Sequence, residues 1–161
     1  MRLLLATLAA TAHAQNPNLV IVAQFKNEAE SLPQWLDHYL TDEGVAAMLL
    51  AANNYATSLI GLQRFEEARP LLRRTIPVAR RVHGDSNDIS LYMRANYARA
   101  LYDDPAATLD DLREAVTTLE EIERTARRVF GSGHPAVGTF VITLGYARAA
   151  LAARETPSPS A

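Results

Sequence analysis

The stretch NYATSLIGLQRFEEARPLLRR, residues 54–74, decides the fold, because parts of it return further along the chain. Its opening triplet, Asn-Tyr-Ala at 54–56, occurs again 42 residues later at 96–98, and in a weaker form as Gly-Tyr-Ala at 145–147. Self-similarity at a fixed period of about 20 to 50 residues is the signature of a repeat protein, in which each unit is one supersecondary motif. The repeat is therefore the strongest structural signal in the sequence.

Each unit is predicted to be a pair of antiparallel helices, A and B, because apolar residues lie at helical spacing from Gly44 to Arg154. A second segment, Ala-Arg-Arg-Val-His-Gly at 79–84, returns with one change at 126–131, so a glycine is expected to end each B helix. Asp88 is the predicted cap of the second A helix. The predicted helices are 44–62 and 65–83 in the first unit, 89–102 and 106–130 in the second, and 135–154 as helix A of a third unit.

The same spacing predicts the core. Tyr55, Leu59 and Leu62 share one stripe of the first A helix, as do Tyr97 and Leu101 on the second. Small residues are expected where helices approach closely, at Ala56, Ala98 and Ala147. The facing stripes of the two B helices are Phe65, Ala68, Leu72, Ile76 and Ala79, and then Leu112, Ala115, Leu119 and Ala126, with Glu123 replacing Ile76.

One helix pair cannot bury its apolar face alone, so neighbouring pairs must stack. The predicted fold is mainly α, a short α-solenoid of antiparallel helix pairs over residues 46–154. Pro77 lies inside the first B helix and is expected to bend it. The tail at 155–161 is small and polar and is predicted to be disordered.

The repeat units resemble tetratricopeptide repeats of the kinesin light chain type. The resemblance rests on the segments Asn-Tyr-Ala at 54–56, Phe-Glu-Glu-Ala at 65–68 and Leu-Leu-Arg-Arg at 71–74, and on the junction Gly-Ser-Gly-His-Pro at 131–135. The first junction departs from this pattern, with Asn87-Asp88 in place of His-Pro, and Gln63 stands where the family turn usually has glycine. The resemblance covers about 110 residues.

This resemblance implies a scaffold whose A helices line a concave surface that binds a peptide or a partner protein. Asn54 and Asn96 match the asparagine that often faces the groove in that family, whereas the third unit has Gly145. Asparagines in these places also serve as caps or in local hydrogen bonds, and the sequence leaves both roles open. Arg99 is expected to add positive charge to the same face, as are Arg94 and Arg148.

The first 14 residues have the form of a secretory signal peptide, with one arginine, an apolar run and small residues before Gln15. The other interpretation is the start of a buried helix. The run is too short to span a bilayer, and no later segment is expected to be long and apolar enough to cross one. The protein is expected in the secretory pathway if the signal is used, and in the cytoplasm otherwise.

Residues 15–45 form a different kind of segment, in which NLVIVAQ at 18–24 is a candidate short strand and is followed by a charged loop and a helix. This segment resembles the start of family 92-like and related GT-A glycosyltransferase domains: Asn27, Glu28 and Trp35 match, whereas Gln34 replaces the usual glutamate. Such an enzyme needs a further strand and an acidic metal site, but the chain passes into the repeat at Val45 instead. The alternatives are a truncated remnant of a glycosyltransferase fused to repeats and a fused or mispredicted product without its own function.

Composition narrows the functional classes further. The net charge of −2 offers no general affinity for nucleic acid. The chain has no cysteine and none of the common catalytic or phosphate-binding motifs, and its four histidines lack metal-ligand spacing. The acidic pairs at 103–104 and 110–111 fall at a predicted turn and a helix start, where carboxylates favour the helix dipole. The sequence thus predicts a non-enzymatic protein-interaction module without cofactor or metal.

Overall fold

The computed structural model describes the backbone of residues 42–156 and the side chains of 46–156. It contains five helices, which we number α1 to α5: Asp42–Gly61, Phe65–His83, Asp88–Tyr102, Leu109–Phe130 and Pro135–Glu155. No strand occurs within this part of the chain. The predicted signal peptide, the candidate strand at 18–24, most of the segment 15–45 and the last five residues lie outside the described residues.

The helices pair and stack as the repeat predicts. Each helix contacts the next one in the chain, and the A helices α1, α3 and α5 also contact one another in sequence, α1 with α3 and α3 with α5. This arrangement gives a layer of A helices and a layer of B helices, α2 and α4, which confirms the predicted short solenoid. Helix α5 extends one residue beyond the predicted end at 154.

Local sequence explains where the helices begin and end. Thr108 accepts a hydrogen bond from the backbone N–H of Asp111, and the Asp111 carboxylate accepts one from the backbone N–H of Thr108, so that a capping box starts α4. The helix therefore begins at Leu109 rather than at the predicted 106. Gly84 and Gly131 follow α2 and α4 with φ of 88° and 82°, which confirms both predicted stops.

Two turns differ from the sequence prediction. The cap of α3 is Asn87, whose side chain accepts from the N–H of Ile89, while Asp88 is the first residue of the helix. Gln63 has φ of 58° in the turn between α1 and α2, a conformation that favours glycine. Gln63 therefore has the left-handed backbone conformation that the usual glycine of this family turn would favour, although the residue type differs. Helix α2 is continuous across Pro70 and Pro77, and bending at Pro77 stays a prediction.

The core follows most of the predicted stripes. Ala56, Ala98 and Ala147 are fully buried, which confirms their place at close helix contacts. Leu62 was predicted to be buried but is 66% exposed, because α1 ends at Gly61 and the chain turns there. On the B helices, Thr75 and Ile122 are fully buried at positions that the predicted stripes omit.

A partly buried ion pair fastens α2 to the turn after α3. Arg69 Nη2 lies 2.7 Å from Asp104 Oδ2, and Arg69 Nε donates to the carbonyl of Ala100 over 3.1 Å. Asp104 also accepts from the backbone N–H of Ala106. The extended turn of the second unit is therefore ordered by its own acidic residue, which stabilises the stacking of the two units.

Candidate functional site on the A helices

The A-helix face comprises the solvent-facing residues Asn53, Asn54 and Thr57 of α1 and Asn96 and Arg99 of α3. Asn96 lies between the two helices. Its Nδ2 donates to Asn53 Oδ1 over 2.8 Å and to Thr57 Oγ1 over 3.0 Å. These bonds cross from one repeat unit to the next, so α1 and α3 present one connected polar surface.

The two predicted asparagines differ in what they do. Asn96 is half-buried and holds α1 and α3 together, a role that agrees with a structural hydrogen bond. Asn54 is exposed, and its backbone carbonyl accepts from Ser58 Oγ over 3.0 Å. The Asn54 side-chain amide has no hydrogen-bond partner among residues 46–156. Asn53, which sequence reasoning missed, supplies the acceptor for Asn96.

The predicted arginines are all paired with acidic residues. Arg99 Nε donates to Asp103 Oδ2 over 2.9 Å, one helical turn along α3. Arg94 and Arg148 reach the neighbouring helix α4, where they contact Glu121 and Glu120, each over 2.7 Å. Among the three, Arg99 therefore contributes its charge to the A-helix face beside an acidic partner.

Two tyrosines of α3 are wholly or partly buried. The Tyr97 hydroxyl accepts from Arg73 Nε of α2 over 2.9 Å, and the Arg73 guanidinium lies 5.5 Å from the centre of the Tyr97 ring. Burial raises the pKa of Tyr97. Burial also raises the pKa of Tyr102, to about 12. Both phenols are therefore neutral at neutral pH.

Helix α5 exposes an apolar surface that the sequence did not predict. Val141, Ile142 and Tyr146 are 40%, 60% and 63% exposed. By length and composition, Pro135–Glu155 could cross a membrane, which corrects the expectation that no segment after the N-terminus is long and apolar enough. Core helices of soluble proteins pass the same test, and α5 packs against both α3 and α4.

The acidic pairs have structural partners. The hydrogen bonds from the backbone N–H and the hydroxyl of Thr108 lower the pKa of Asp111. Asp110 lies 3.4 Å from Arg113, and Asp103 and Asp104 pair with Arg99 and Arg69. Among the side chains of residues 46–156, no group of three His, Asp or Glu residues is placed to hold a metal ion.

Comparison with known protein families gives a match to the first helix pair. The model of the tetratricopeptide repeat family matches residues 48–88, which span most of α1, all of α2 and the loop to α3. No curated protein and no solved structure matches the chain. The first helix pair is therefore similar to a tetratricopeptide repeat, and the resemblance of the N-terminal segment to a glycosyltransferase finds no support in these comparisons.

Proposed function

We propose that the chain is a non-catalytic module of tetratricopeptide type that binds a peptide or a partner protein on its A-helix face. The match of the first helix pair to this family supports the proposal, because such repeats stack to create extended binding surfaces. Protein interaction is the general role of this architecture. The choice of surface and residues is specific to this chain.

The observation that carries the proposal is the bridge from Asn96 to Asn53 and Thr57. Because side chains of two repeat units are joined by hydrogen bonds of 2.8 and 3.0 Å, the surface between α1 and α3 is fixed before a ligand arrives. A preformed surface loses less conformational entropy on binding than a loose one. The bridge thus supplies a platform for an extended segment.

Two residues on this platform are assigned to ligand contact. The Asn54 amide has both donors and an acceptor available, which suits it to a peptide backbone. Within the described part of the chain, Arg99 is paired only with Asp103, through a partly exposed contact at the end of α3. Such surface pairs contribute about 0–1 kcal/mol, so a carboxylate on the ligand can compete for the guanidinium. Asn96 is assigned the positioning role.

The test begins with a phage-displayed peptide library selected against the full chain. A selected peptide is then titrated into the isotope-labelled protein, and shifts of the backbone amides locate its site. We expect the shifts to centre on Asn54, Thr57 and Arg99. The charge reversal Arg99→Glu and the substitution Asn54→Arg are each expected to weaken binding at least tenfold, the equivalent of about 1.4 kcal/mol.

Arg113→Glu is the matched control, because it makes the same charge change at an exposed, ion-paired arginine on α4. It is expected to leave affinity for the selected peptide unchanged. Shifts confined to α2 and α4, or equal losses in Arg99→Glu and Arg113→Glu, would refute the proposed surface. Circular dichroism of each variant checks that the helices remain formed.

A further inference from the structure

An arginine-rich cleft lies on another part of the molecule, with a volume of about 500 Å³. Its walls come from the last turn of α2, the loop that follows, α3 and the second half of α4. We call it the arginine cleft. The charged side chains that line it are Arg80, Asp85, Arg94, Glu121, Arg124 and Arg128. It shares no residue with the A-helix face.

Four of these side chains form two ion pairs, so the charges within each pair are balanced. Arg80 pairs with Asp85 at the end of α2, and Arg94 pairs with Glu121 across the α3–α4 interface. The hydrogen bond from Arg80 lowers the pKa of Asp85, and the charge of Arg94 adds to this effect. Both pairs thus line the same cleft.

The remaining two arginines are uncompensated. Arg124 and Arg128 are one turn apart on α4 and are exposed, and neither has an ion-pair partner among residues 46–156. Among the described residues, four guanidinium groups against two carboxylates leave the cleft with two positive charges. A ligand with two negative charges would therefore balance the net positive charge of the side chains that line the cleft.

We propose that the arginine cleft binds a phosphate group, held chiefly by Arg124 and Arg128. Guanidinium groups donate two parallel hydrogen bonds to phosphate oxygens, and a phosphate carries about two negative charges at neutral pH. A single carboxylate would leave one positive charge unpaired. Thr125 also lines the cleft, and a threonine hydroxyl can donate a further hydrogen bond.

A neighbouring cleft provides an internal comparison. It has a volume of about 310 Å³ and is lined by Glu120, Glu123, Arg124, Arg127 and Arg148. Two of its arginines are already paired, Arg148 with Glu120 and Arg127 with Glu123, each over 2.7 Å. Only Arg124 is unpaired there within the described part of the chain, and it is shared with the larger cleft. The excess positive charge is therefore concentrated in the arginine cleft.

The phosphate can come from a phosphorylated side chain of a peptide or from a free phosphate-bearing small molecule. The experiment titrates inorganic phosphate into the labelled full chain, at constant ionic strength maintained with sodium chloride. Arginine Nε–Hε resonances are followed by nuclear magnetic resonance. Saturable shifts are expected at Arg124 and Arg128. Arg124→Gln and Arg128→Gln should each weaken binding about tenfold, because each removes a guanidinium group that donates charge-assisted hydrogen bonds.

The matched control is Arg113→Gln, which removes one positive charge from the same helix at a residue outside the cleft. It should leave phosphate affinity unchanged. Arg124 and Arg128 have no partners to lose in the described part of the chain, so their variants should remain folded, which circular dichroism checks. Linear shifts spread over all arginines, or equal losses in all three variants, would show non-specific screening and overturn the proposal.

A second titration distinguishes the two sources. A serine-phosphorylated peptide is compared with its unphosphorylated form and with inorganic phosphate. Tenfold tighter binding of the phosphorylated peptide than of free phosphate assigns the cleft to peptides, and equal affinity assigns it to small phosphate-bearing molecules. Failure of both to bind refutes the site. None of these results affects the A-helix face, which the Arg99→Glu variant tests separately.

Discussion

Helices α3 and α5 occupy the same place in their repeat units but differ sharply in exposure. When the Asn-Tyr-Ala and Gly-Tyr-Ala triplets are aligned, Met93 corresponds to Ile142 and Tyr97 to Tyr146. Met93 is fully buried and Tyr97 is 8% exposed, whereas Ile142 and Tyr146 are 60% and 63% exposed. Helix α3 contacts all four other helices, and α5 contacts α3 and α4. Burial is thus set by neighbouring helices rather than by position in the repeat.

The largest expected effect is a contrast between Met93→Ala and Ile142→Ala. Removing the buried Met93 side chain leaves a cavity between stacked units, and large-to-small changes in cores lower the free energy of unfolding by about 2–5 kcal/mol. Ile142→Ala should change it by less than about 0.5 kcal/mol, because the side chain is mostly in water already. Urea unfolding followed by circular dichroism measures both.

Equal destabilisation by the two substitutions would break the comparison, because it would mean that Ile142 is covered in solution. Repeating the measurement at several protein concentrations shows whether a second copy provides that cover. A protein whose stability is unaffected by concentration and by Ile142→Ala has the free α5 surface that the structure describes.

The next effect concerns stability at high pH. Burial raises the pKa of Tyr102 to about 12, above its ordinary value near 10, while α5 has Leu151 at the equivalent position. The folded state favours the neutral phenol, so this stabilisation is complete below about pH 10 and is lost as the pH rises through 12. We expect a loss of about 1–2 kcal/mol, less than the shift alone would give because the ring is only partly buried.

Urea unfolding between pH 9 and 12 measures this dependence, with absorbance of ionised tyrosine as a second signal. The Tyr102→Phe variant should lose part of the decline in stability across this range. An unchanged pH profile in Tyr102→Phe would contradict the assignment. A smaller decline in the Tyr102→Phe variant would assign this pH dependence to the α3 position, where α5 has Leu151.

Most of the fold could be predicted because, in helical repeats, the spacing of apolar and small residues along each helix indicates which residues pack together. The buried Ala56, Ala98 and Ala147 were predictable, since small residues recur at the same register. The exposure of Leu62 was not predictable, because it depends on where α1 ends. The helix ends before Gln63, which has a left-handed conformation although it is not a glycine. The capping box at Thr108 likewise moved the start of α4 by three residues.

The sites were less predictable, because they depend on contacts between units. Asn54 and Asn96 look alike in the sequence, yet only Asn96 bridges two helices, since its partner Asn53 lies 43 residues away. The arginine cleft joins Arg94 to Glu121 across 27 residues, and no local pattern marks that pairing. Arg124 and Arg128 look like ordinary surface arginines until the positions of α2 and α3 are known.

A smaller effect is expected from removing the hydroxyl group of Tyr97 or of Tyr146, which occupy equivalent positions on α3 and α5. Tyr97→Phe deletes the acceptor for Arg73 Nε at 2.9 Å and should lower the free energy of unfolding by about 1 kcal/mol. Tyr146→Phe, at the exposed equivalent on α5, should have no measurable effect. A double-mutant cycle with Arg73→Ala identifies the cause: if Tyr97→Phe no longer changes stability once Arg73 is removed, the hydrogen bond accounts for the loss. An equal loss with and without the Arg73 side chain would exclude it.

The smallest effect has the opposite sign and tests the same pair of helices. Ser90 of α3 is fully buried and its hydroxyl has no hydrogen-bond partner in the described part of the chain, whereas its equivalent Thr139 on α5 is exposed and donates to the carbonyl of Pro135 over 3.3 Å. Alanine has the higher helix propensity at both positions, by less than about 0.7 kcal/mol. Only Ser90→Ala also removes an unpaired buried hydroxyl, so it should stabilise the protein more than Thr139→Ala, by about 0.5–1 kcal/mol. The midpoints of urea unfolding of the two variants, compared with that of the unsubstituted protein, measure this difference in stability. A destabilised Ser90→Ala protein would show that this hydroxyl does have a partner, and that α3 is held by a contact that α5 lacks.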